Sequence, residues 1–375
     1  MQKKKINALK EPLTVIDLFS GCGGLSKGFE DAGFKVVLGI DNWKDSLETF
    51  QKNHKGAGII CDDIKNVTGD FILKKSGMKK INVVVGGPPC QGFSLAGKRQ
   101  HDDERNVLPY EFVRIVKELK PEFFLLENVL GLLSMEGGKV KERLLKKFRD
   151  LGYNVEVKDF YAHHYGVPQM RRRTVFLGNN LGIPVTFPEP THLEPEKRKD
   201  NRKYLNPVTV GEAISDLPLL EDSTGTEEMD YSIAPQSDFQ KFVRMNSDKI
   251  YNHTVSNHSE QTKKVISLVP EGCNWKSLPA KYQNIRSYAN TWRRLDSRLP
   301  SVTIDTGHRH HFHYKACRVP TVRESARIQS FRDDFIFLGP RTSQFKQVGN
   351  AVPPLLAFAF AKEIKKTLKY ARHDS

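Results

Sequence analysis

Short apolar runs alternate with amphipathic stretches through the first half of this chain. Runs rich in β-branched and aromatic residues at 14–19, 36–41, 82–85, 123–127 and 174–178 predict buried strands. Helical spacing between them predicts helices, including residues 25–32, residues 110–119 and a basic helix whose apolar stripe ends at Gly152. This alternation predicts an α/β fold with a doubly wound, mostly parallel sheet that ends near residue 180.

The pattern changes after residue 180. Residues 184–207 are rich in Pro, Lys, Arg and Glu, which is typical of a linker. Residues 208–320 are polar and irregular, whereas residues 322–328 and 355–370 again have helical spacing, the last with a basic exposed face. The sequence therefore predicts a smaller, loop-rich unit between the α/β domain and a C-terminal helix.

Charge and cysteine content narrow the class of protein. The net charge of +15 predicts a polyanionic partner, although the basic residues are spread along the chain and a merely basic enzyme remains an alternative. The five cysteines are odd in number and lack paired metal spacing, which favours reduced thiols in a cytosolic protein. No apolar run is long enough for a membrane span, and no apolar segment follows the basic N-terminus, so we expect a soluble intracellular protein.

A cysteine follows two prolines at the end of the third predicted strand, in Pro88-Pro-Cys-Gln91. The carboxyl ends of strands are where open α/β sheets bind ligands, so Cys90 is a candidate nucleophile. A buried structural cysteine is the alternative interpretation.

The turn after the first strand, within Asp17-Leu-Phe-Ser-Gly-Cys-Gly-Gly24, predicts a nucleoside site. Glycines there allow a ligand to approach the backbone, and Asp41 at the end of the next strand suits ribose hydroxyls. Asp62 or Asp63 suits an adenine amino group. Because Ser26 stands where a dinucleotide fingerprint needs Gly or Ala, the pattern favours S-adenosylmethionine over NAD. Tight packing between strand and helix is an equally good reading of the glycines.

Two further segments carry candidate chemistry. Glu127 ends an apolar strand, where a desolvated carboxyl group can donate a proton near neutral pH; an N-cap or a paired structural glutamate is the alternative. Gln169, Arg171 and Arg173 alternate in an extended run and should share one face, able to hold a carboxylate, a base oxygen or a phosphate. The alternative is a solvated charge run.

Together these segments resemble the DNA (cytosine-5) methyltransferase family, bacterial restriction-modification type. The resemblance rests on five motifs in the family's order, which are Asp17-Leu-Phe-Ser-Gly-Cys-Gly-Gly24, Gly86-Gly-Pro-Pro-Cys-Gln-Gly-Phe-Ser94, Glu127-Asn-Val129, Gln169-x-Arg-x-Arg173 and Gly349-Asn-Ala-Val-Pro-Pro354. A weaker match lies at residues 294–304. The motifs span nearly the whole chain, and five in order are highly specific.

The resemblance implies a mechanism and a set of site residues. Cys90 would add to carbon 6 of a cytosine flipped out of duplex DNA, Glu127 would assist at ring nitrogen 3, and Arg173 would hold the base with support from Arg171 and Gln169. The implied cofactor is S-adenosylmethionine. Its implied binding residues are Phe19, Ser20, Gly21, Gly23, Gly24, Leu25, Asp41, Asn42, Asp63, Ile64, Pro89, Asn350 and Ala351. Since Asn42 precedes Trp43 where the family often has an aromatic residue, the residue that covers the adenine stays open.

The resemblance also implies how the chain divides. Residues 1–189 would form the catalytic and cofactor-binding domain, residues 190–320 the target-recognition domain, and residues 321–375 a hinge and a helix that returns to the catalytic domain. Five polar or aromatic residues of the second unit are candidates for contacts with bases or phosphates: Asn252, His253, Asn257, His258 and Tyr288. For the histidines between Gly307 and His313, with Cys317, we favour a DNA-facing basic loop over a zinc site, and we expect no metal.

The implied protein is a monomeric bacterial enzyme, cytoplasmic and on the nucleoid, that protects DNA from a cognate restriction endonuclease without a stable complex. One alternative is a related enzyme that methylates cytosine in transfer RNA, although Gln91-Gly-Phe-Ser94 favours DNA. A catalytically silent DNA-binding module is another, against which the presence of Cys90, Glu127 and Arg173 argues.

Overall fold

The computed structural model describes residues 12–89, 107–199, 203–220, 224–283, 292–307 and 310–373. Its main strands are β1 (Thr14–Leu18), β2 (Lys35–Asp41), β3 (Gly58–Cys61), β4 (Val83–Gly86), β5 (Phe123–Asn128), β6 (Asn154–Tyr161) and β7 (Arg172–Asn179). They form one sheet in the order β3-β2-β1-β4-β5-β7-β6, parallel from β3 to β5, with β7 antiparallel to both β5 and β6. The predicted doubly wound, mostly parallel α/β fold is confirmed.

Helices cover both faces of this sheet. The first six are α1 (Gly24–Asp31), α2 (Lys44–Asn53), α3 (Gly69–Ser76), α4 (Leu108–Leu119), α5 (Gly131–Ser134) and α6 (Lys139–Asp150). Alternate strand residues feed two apolar cores: Ile16 and Val84 pack with α3, α4 and α6, whereas Val15 and Val83 pack with α1 and α2. The period of two along each strand thus builds a core on each side.

Strands β1 and β4 are neighbours in the middle of the sheet, with β2 beyond β1 and β5 beyond β4. The chain therefore leaves β1 and β4 in opposite directions, which opens a crevice at their carboxyl ends. Both predicted turns, the glycine turn after β1 and the Pro-Pro turn after β4, lie at this crevice.

Two strands of this sheet lie outside the predicted set, β3 and β6. Strand β6 is at the edge of the sheet, and only Val155 and Phe160 of its eight residues are fully buried. Val155 and Phe160 belong to opposite cores and are separated by exposed or half-buried residues, so β6 lacks the continuous apolar run that reveals a central strand. The prediction therefore found the strands with continuous apolar runs and missed the two partly solvated ones.

The remaining helices are α7 (Val210–Ile214), α8 (Asp238–Arg244), α9 (Glu260–Ser267), α10 (Ala280–Gln283), α11 (Val322–Ile328), α12 (Arg341–Asn350) and α13 (Pro354–His373). Helix α13 packs against α1, where a Cβ on Gly28 would lie 2.4 Å from the Cβ of Ala357, so only glycine allows this approach. No helix in the described part of the chain is long and apolar enough to cross a membrane.

Between β7 and α11 the described residues form short helices and short strand pairs that do not extend the main sheet. Two small pairs occur, β8 (Glu228–Asp230) with β9 (Lys249–Tyr251) and β10 (Arg293–Arg294) with β11 (His311–Phe312). The buried guanidinium of Arg327 on α11 bonds Asp216, next to α7, and Asp333, with 2.6 Å from its Nη2 to Asp333 Oδ2. This fully buried ionic cluster fastens the irregular part to α11.

Candidate active site

A cleft of about 940 Å³ opens at the carboxyl ends of β1, β2, β4 and β5. Most of the predicted site residues line it: Phe19, Ser20, Gly21, Gly24, Leu25, Asp41, Asn42, Asp63, Ile64, Pro89, Glu127, Arg171, Arg173, Asn350 and Ala351. Gly23 and Gln169 do not line it, and Cys90 lies outside the described residues. Side chains more than 300 positions apart therefore meet in one cavity.

Asp41 ties together the two turns at one end of the cleft. Its Oδ2 accepts a hydrogen bond from the Gly21 N–H at 2.8 Å, and its Oδ1 accepts one from the Trp43 N–H at 2.9 Å. Burial raises the pKa of Asp41, while these backbone donors oppose that rise. Each carboxylate oxygen keeps a lone pair for a ligand donor.

The glycines of the first turn have different roles. Gly21 has a φ of 52°, and a Cβ there would face open space beside the cleft. Gly23 has a φ of 94°, and its Cβ would lie 2.3 Å from His54 Nε2, which itself sits 3.1 Å from the Gly23 carbonyl oxygen. Gly23 thus allows tight packing against a buried histidine. Tight packing was the alternative interpretation of the glycines in this turn. No sequence pattern near His54 indicates its role.

Beyond β2, Trp43 and the Asp62–Asp63 turn line the same end of the cleft. The Lys346 ammonium lies 4.6 Å from the centre of the Trp43 ring, so one ring face is already covered. Asp63 Oδ1 accepts from the Lys65 N–H at 3.0 Å and caps the short helix that follows. Asp62 accepts from the Asp63 N–H and the Asn66 amide, so both carboxylates are positioned by local bonds.

At the other end of the cleft, Glu127 on β5 meets Arg173 on β7. Glu127 Oε1 lies 2.8 Å from Arg173 Nε, and both side chains are nearly buried. A Cβ on Gly87 would lie 2.9 Å from Glu127 Oε2, so that glycine makes room for the carboxylate beside the Pro-Pro turn. The sequence predicted both charged groups for this site, but their direct ion pair depends on the antiparallel pairing of β5 with β7.

Asn128, the next residue on β5, holds the turn that leads to Cys90. Its Nδ2 donates to the Pro88 carbonyl oxygen at 2.9 Å, and the side chain is buried. In the sequence, Asn128 is indicated only as part of the Glu127 motif. The signal for its role is an amide residue directly after a candidate catalytic carboxylate, at the end of an apolar strand.

Arg171 is a buried guanidinium that lines the cleft. Its Nη1 has one long hydrogen bond, 3.4 Å to the Ile304 carbonyl oxygen, and its Nε has no partner among the described residues. Burial and the nearby charge of Arg173 hold its pKa well below the usual range. A cation placed in this way is suited to bind an anionic or carbonyl oxygen of a ligand.

Gln169 is fully buried behind the cleft. Its Oε1 accepts from the Ile304 N–H at 2.9 Å, and its Nε2 donates to Gln329 Oε1 at 2.8 Å. Ile304 belongs to the 303–306 segment that forms one wall of the cleft. Gln169 therefore positions that wall, whereas Arg171 and Arg173 face the cavity.

Two residues expected to contact DNA are structural, and the expectation is wrong for both. Asn252 is buried, and its amide bonds both the N–H and the carbonyl oxygen of Phe337 at 2.9 Å. His253 is buried between the Thr321 hydroxyl and the Pro218 carbonyl oxygen. Polar side chains in an irregular region satisfied buried backbone groups instead of facing solvent. Asn257 is exposed and His258 half-buried, while Tyr288 lies outside the described residues.

The DNA-facing loop expected at residues 307–313 is also wrong for His311 and His313. Both are buried, and His313 Nδ1 accepts from the Ala316 N–H at 2.9 Å. Burial lowers the pKa of each to about 4, so neither supplies positive charge near neutral pH. In the part of the chain that the structure describes, this segment contributes to no group of three metal-ligating side chains.

Asp17 is buried near the end of β1, at the border of the cleft. Its Oδ2 accepts from the Ser26 hydroxyl at 2.7 Å, and burial raises its pKa to about 7. In the unfolded chain an aspartate titrates near pH ~3.9, so between about pH 4 and 7 the folded state holds a proton that the unfolded state has lost. The raised pKa therefore means that stability falls as pH rises through this window.

We expect Asp17→Asn to weaken this pH dependence. Between pH ~5 and ~8 the wild-type free energy of unfolding should fall by on the order of 2 kcal/mol more than that of the variant. Urea unfolding at both pH values measures the difference. Asp238→Asn, which changes an exposed aspartate on α8, is the matched control and should follow the wild type. Equal pH slopes for wild type and Asp17→Asn would contradict the assignment.

Comparisons with known proteins agree with this arrangement. Residues 13–366 match the family model for C-5 cytosine-specific DNA methylases. The chain is 39% identical over 357 residues to the type II methyltransferase M1.HphI of Haemophilus parahaemolyticus, which covers 94% of this chain and 87% of the relative. It is 36% identical over 382 residues to the type II methyltransferase M.DdeI of Desulfomicrobium norvegicum, with 94% and 88% covered. A candidate DNA modification methyltransferase encoded in an E. coli prophage shares the fold with a TM-score of 0.79 and 27% identity, covering 95% of this chain and 99% of that one.

Proposed function

Because this chain belongs to the C-5 cytosine-specific DNA methylase family, we propose that its cleft holds S-adenosylmethionine beside β1 and β2 and a flipped-out cytosine beside β4 and β5. The protein is a DNA (cytosine-5-)-methyltransferase, and enzymes of its family use S-adenosylmethionine as methyl donor. One observation carries the proposal: a single cleft joins the turn supported by Asp41 to the pair formed by Glu127 and Arg173.

The residues at the first end of the cleft suit the cofactor. Ser20 Oγ is buried there with no hydrogen-bond partner among the described residues, so a polar ligand atom can satisfy it. Asp41 and Asp63 offer acceptors for hydroxyl and amino groups, and Trp43 offers an aromatic surface. Ligand pockets measure roughly 300–1,000 Å³, so a cleft of about 940 Å³ leaves room for a flipped base as well.

The second end suits the chemistry of cytosine. Carbon 5 becomes nucleophilic only after a group has added to carbon 6, and the Cys90 thiolate forms that bond while Glu127 assists at ring nitrogen 3. When bound, the cofactor would supply an electrophilic sulfonium methyl group, which carbon 5 takes as the sulfur–methyl bond breaks. Loss of the carbon 5 proton and departure of Cys90 then restore the ring. Since these atoms are unreachable in a stacked duplex, the base enters the cleft by flipping.

The remaining polar residues position the reacting groups. Arg173 holds Glu127 and the base, and Gln169 supports the wall at Ile304. Arg171 offers its Nε, which has no partner among the described residues, to a base or phosphate oxygen. Asn128 fixes the turn before Cys90. In this proposal the carboxylate on β5 and the two arginines at the start of β7 face one base, beside the Pro-Pro turn that follows β4.

Methylation within a specific sequence is best explained by a modification enzyme that protects host DNA. We assign sequence recognition to residues 190–320, between the 1–189 catalytic domain and the 321–375 segment. We further propose a cognate endonuclease that cuts the same site without a stable complex, and action as a monomer on the bacterial nucleoid, in the cytoplasm. The net charge of +15 supports attraction to the phosphate backbone.

The experiment that tests this function is bisulfite sequencing of plasmid from cells that express the full chain. We expect protected cytosines at one recurring sequence. A plasmid without protected cytosines would contradict DNA methylation, and methylated cytosine confined to transfer RNA would instead favour an RNA substrate. A vector without the gene gives the background.

We expect the methylated DNA sequence to change when residues 207–299 are exchanged for those of another family member. The exchanged span ends at residue 299 because the Met170 N–H bonds the Ser301 carbonyl oxygen at 2.7 Å and residues 303–306 line the cleft. It also keeps Val210 and Leu299, whose backbones bond each other at 2.9 Å, on the same exchanged piece. A chimera that carries the corresponding span of a family member with a different site should methylate the donor's site, as read by bisulfite sequencing. An active chimera that retains the parent's site would refute the assignment.

A further inference from the structure

Three metal-ligating side chains converge away from the cleft. His163 and His164 belong to the one-turn helix Ala162–Tyr165 that follows β6, and Glu194 lies in the segment that leaves the sheet for the irregular region. One donor atom from each lies within 4.8 Å of the other two. Among the described residues this is the one group in which three His, Cys, Asp or Glu side chains meet so closely, and none of the three lines the cleft.

The distances in this group fit a tetrahedral ion. Zinc–nitrogen and zinc–oxygen bonds of ~2.0–2.1 Å place neighbouring ligand atoms of a tetrahedron about 3.3 Å apart. His163 Nε2 lies 3.2 Å from Glu194 Oε1, and His164 Nε2 lies 3.6 Å from Glu194 Oε2. Each histidine therefore forms one edge of a tetrahedron with a different oxygen of Glu194, and because one donor atom from each residue lies within 4.8 Å of the others, rotation of the imidazoles can bring all three to one ion.

The group also contains polar atoms that the protein leaves unsatisfied. His164 Nε2 and Glu194 Oε2 are buried and face each other, yet neither has a hydrogen-bond partner among the described residues. His163 is almost completely buried, and its Nδ1 also has no hydrogen-bond partner among the described residues. Buried polar atoms without partners are costly, and a bound cation satisfies His164 Nε2 and Glu194 Oε2 at once.

We propose that His163, His164 and Glu194 bind one divalent ion of the Zn²⁺ class. Two imidazoles and a carboxylate form the donor set that such borderline ions prefer. The fourth position is left for water.

The ion would strengthen a connection between the sheet and the segment that follows it. The backbone N–H groups of Thr191 and His192 already bond the His164 carbonyl oxygen at 2.9 and 3.0 Å, and Leu193 pairs with Leu205. Coordination by Glu194 adds a side-chain link at the same place. The site thus lies at the base of the irregular region, where it stabilises the path of the chain and takes no part in methyl transfer.

Lys197 is the group that opposes metal binding. Its Nζ lies 2.7 Å from Glu194 Oε1, the oxygen that does not face His164, and about half of its side chain is exposed. It can therefore remain in place or rotate into solvent when the ion binds. Because its positive charge repels a cation, we expect Lys197→Gln to bind the ion more tightly than the wild type.

The test uses the full chain without a histidine tag, stripped of metal by a chelator and titrated with Co²⁺ alone. Tetrahedral Co²⁺ absorbs visible light, so the spectrum reports both binding and geometry. We expect one Co²⁺ per chain, displacement by Zn²⁺, and an increase in the melting temperature on binding. Glu194→Gln and His164→Gln should each weaken binding by more than about tenfold and abolish the melting shift.

His310→Gln is the matched control, since it removes a half-buried histidine, bonded to Asp305, from the other histidine-rich segment and should bind Co²⁺ like the wild type. Far-UV circular dichroism checks that every variant is folded. Absence of a Co²⁺ spectrum in the wild type, or a spectrum that survives in Glu194→Gln and disappears in His310→Gln, would overturn the proposal. Because the group lies outside the cleft, such a failure would leave the proposed methyl transfer intact.

Discussion

Replacing Cys90 with serine is expected to abolish methyl transfer while DNA binding stays largely intact. A serine hydroxyl is a far weaker nucleophile than a thiolate, and loss of a catalytic nucleophile costs on the order of 10⁴-fold or more in rate. Transfer of tritium from labelled S-adenosylmethionine to DNA measures the rate, and a gel-shift titration measures binding.

The structure identifies the cysteine that most needs to be distinguished from Cys90. Cys22 also lines the cleft, but it is buried, its Sγ lies 3.7 Å from the Gln347 carbonyl oxygen, and burial raises its pKa to about 12. A thiol in this state does not form the thiolate that attacks a ring. Cys273→Ser, which changes an exposed thiol, is the control and should retain full activity.

Target DNA with 5-fluorocytosine sharpens the test. Fluorine cannot leave as a proton does, so the wild type should form a covalent adduct that survives denaturing electrophoresis. The Cys90→Ser variant should form none. Near-normal turnover in that variant, or an adduct formed without Cys90, would contradict the assignment of the nucleophile.

Replacing Glu127 with glutamine should slow methyl transfer by roughly 10²–10⁴-fold with little change in cofactor affinity. Glutamine keeps the shape of the side chain but cannot supply a proton at ring nitrogen 3. Single-turnover kinetics give the chemical rate, and titration calorimetry with S-adenosylmethionine gives the affinity. Comparable losses in both quantities would indicate a structural glutamate.

The ion pair with Arg173 provides a stricter comparison. If Glu127 served only to neutralise this buried guanidinium, the double variant Glu127→Gln/Arg173→Gln would recover activity, because no unpaired charge would remain. We expect the double variant to be at least as slow as Glu127→Gln. Recovery in the double variant would assign the pair to stability alone.

Much of the fold could be predicted from the pattern of apolar residues within short segments of the sequence. Strand β4 is apolar throughout, and α11 begins and ends where its spacing predicted, after Thr321 caps its first turn. Each of these signals is contained within about ten neighbouring residues, because burial imposes a period of two or 3.6 on the sequence. The order of the turns along the chain then placed the glycine turn and the Pro-Pro turn at the same edge of the sheet.

The state of the polar side chains was decided by tertiary contacts alone. Gln169 shares the alternation of Arg171 and Arg173, yet it is buried against Ile304 because a segment more than 130 positions away packs there. The sequence predicts DNA contacts for Asn252 and Asn257 alike, and only the bonds of Asn252 to Phe337 show that Asn252 is structural. His163 and Glu194 meet because backbone pairing returns the chain to the helix after β6. The sequence by itself determined the fold, the family and the candidate catalytic and binding residues, since backbone periodicity and turn chemistry are local. Partners distant in sequence decided which of those residues face the cleft, which pair with each other and which only satisfy buried groups. A local sequence pattern contains no information about such distant partners.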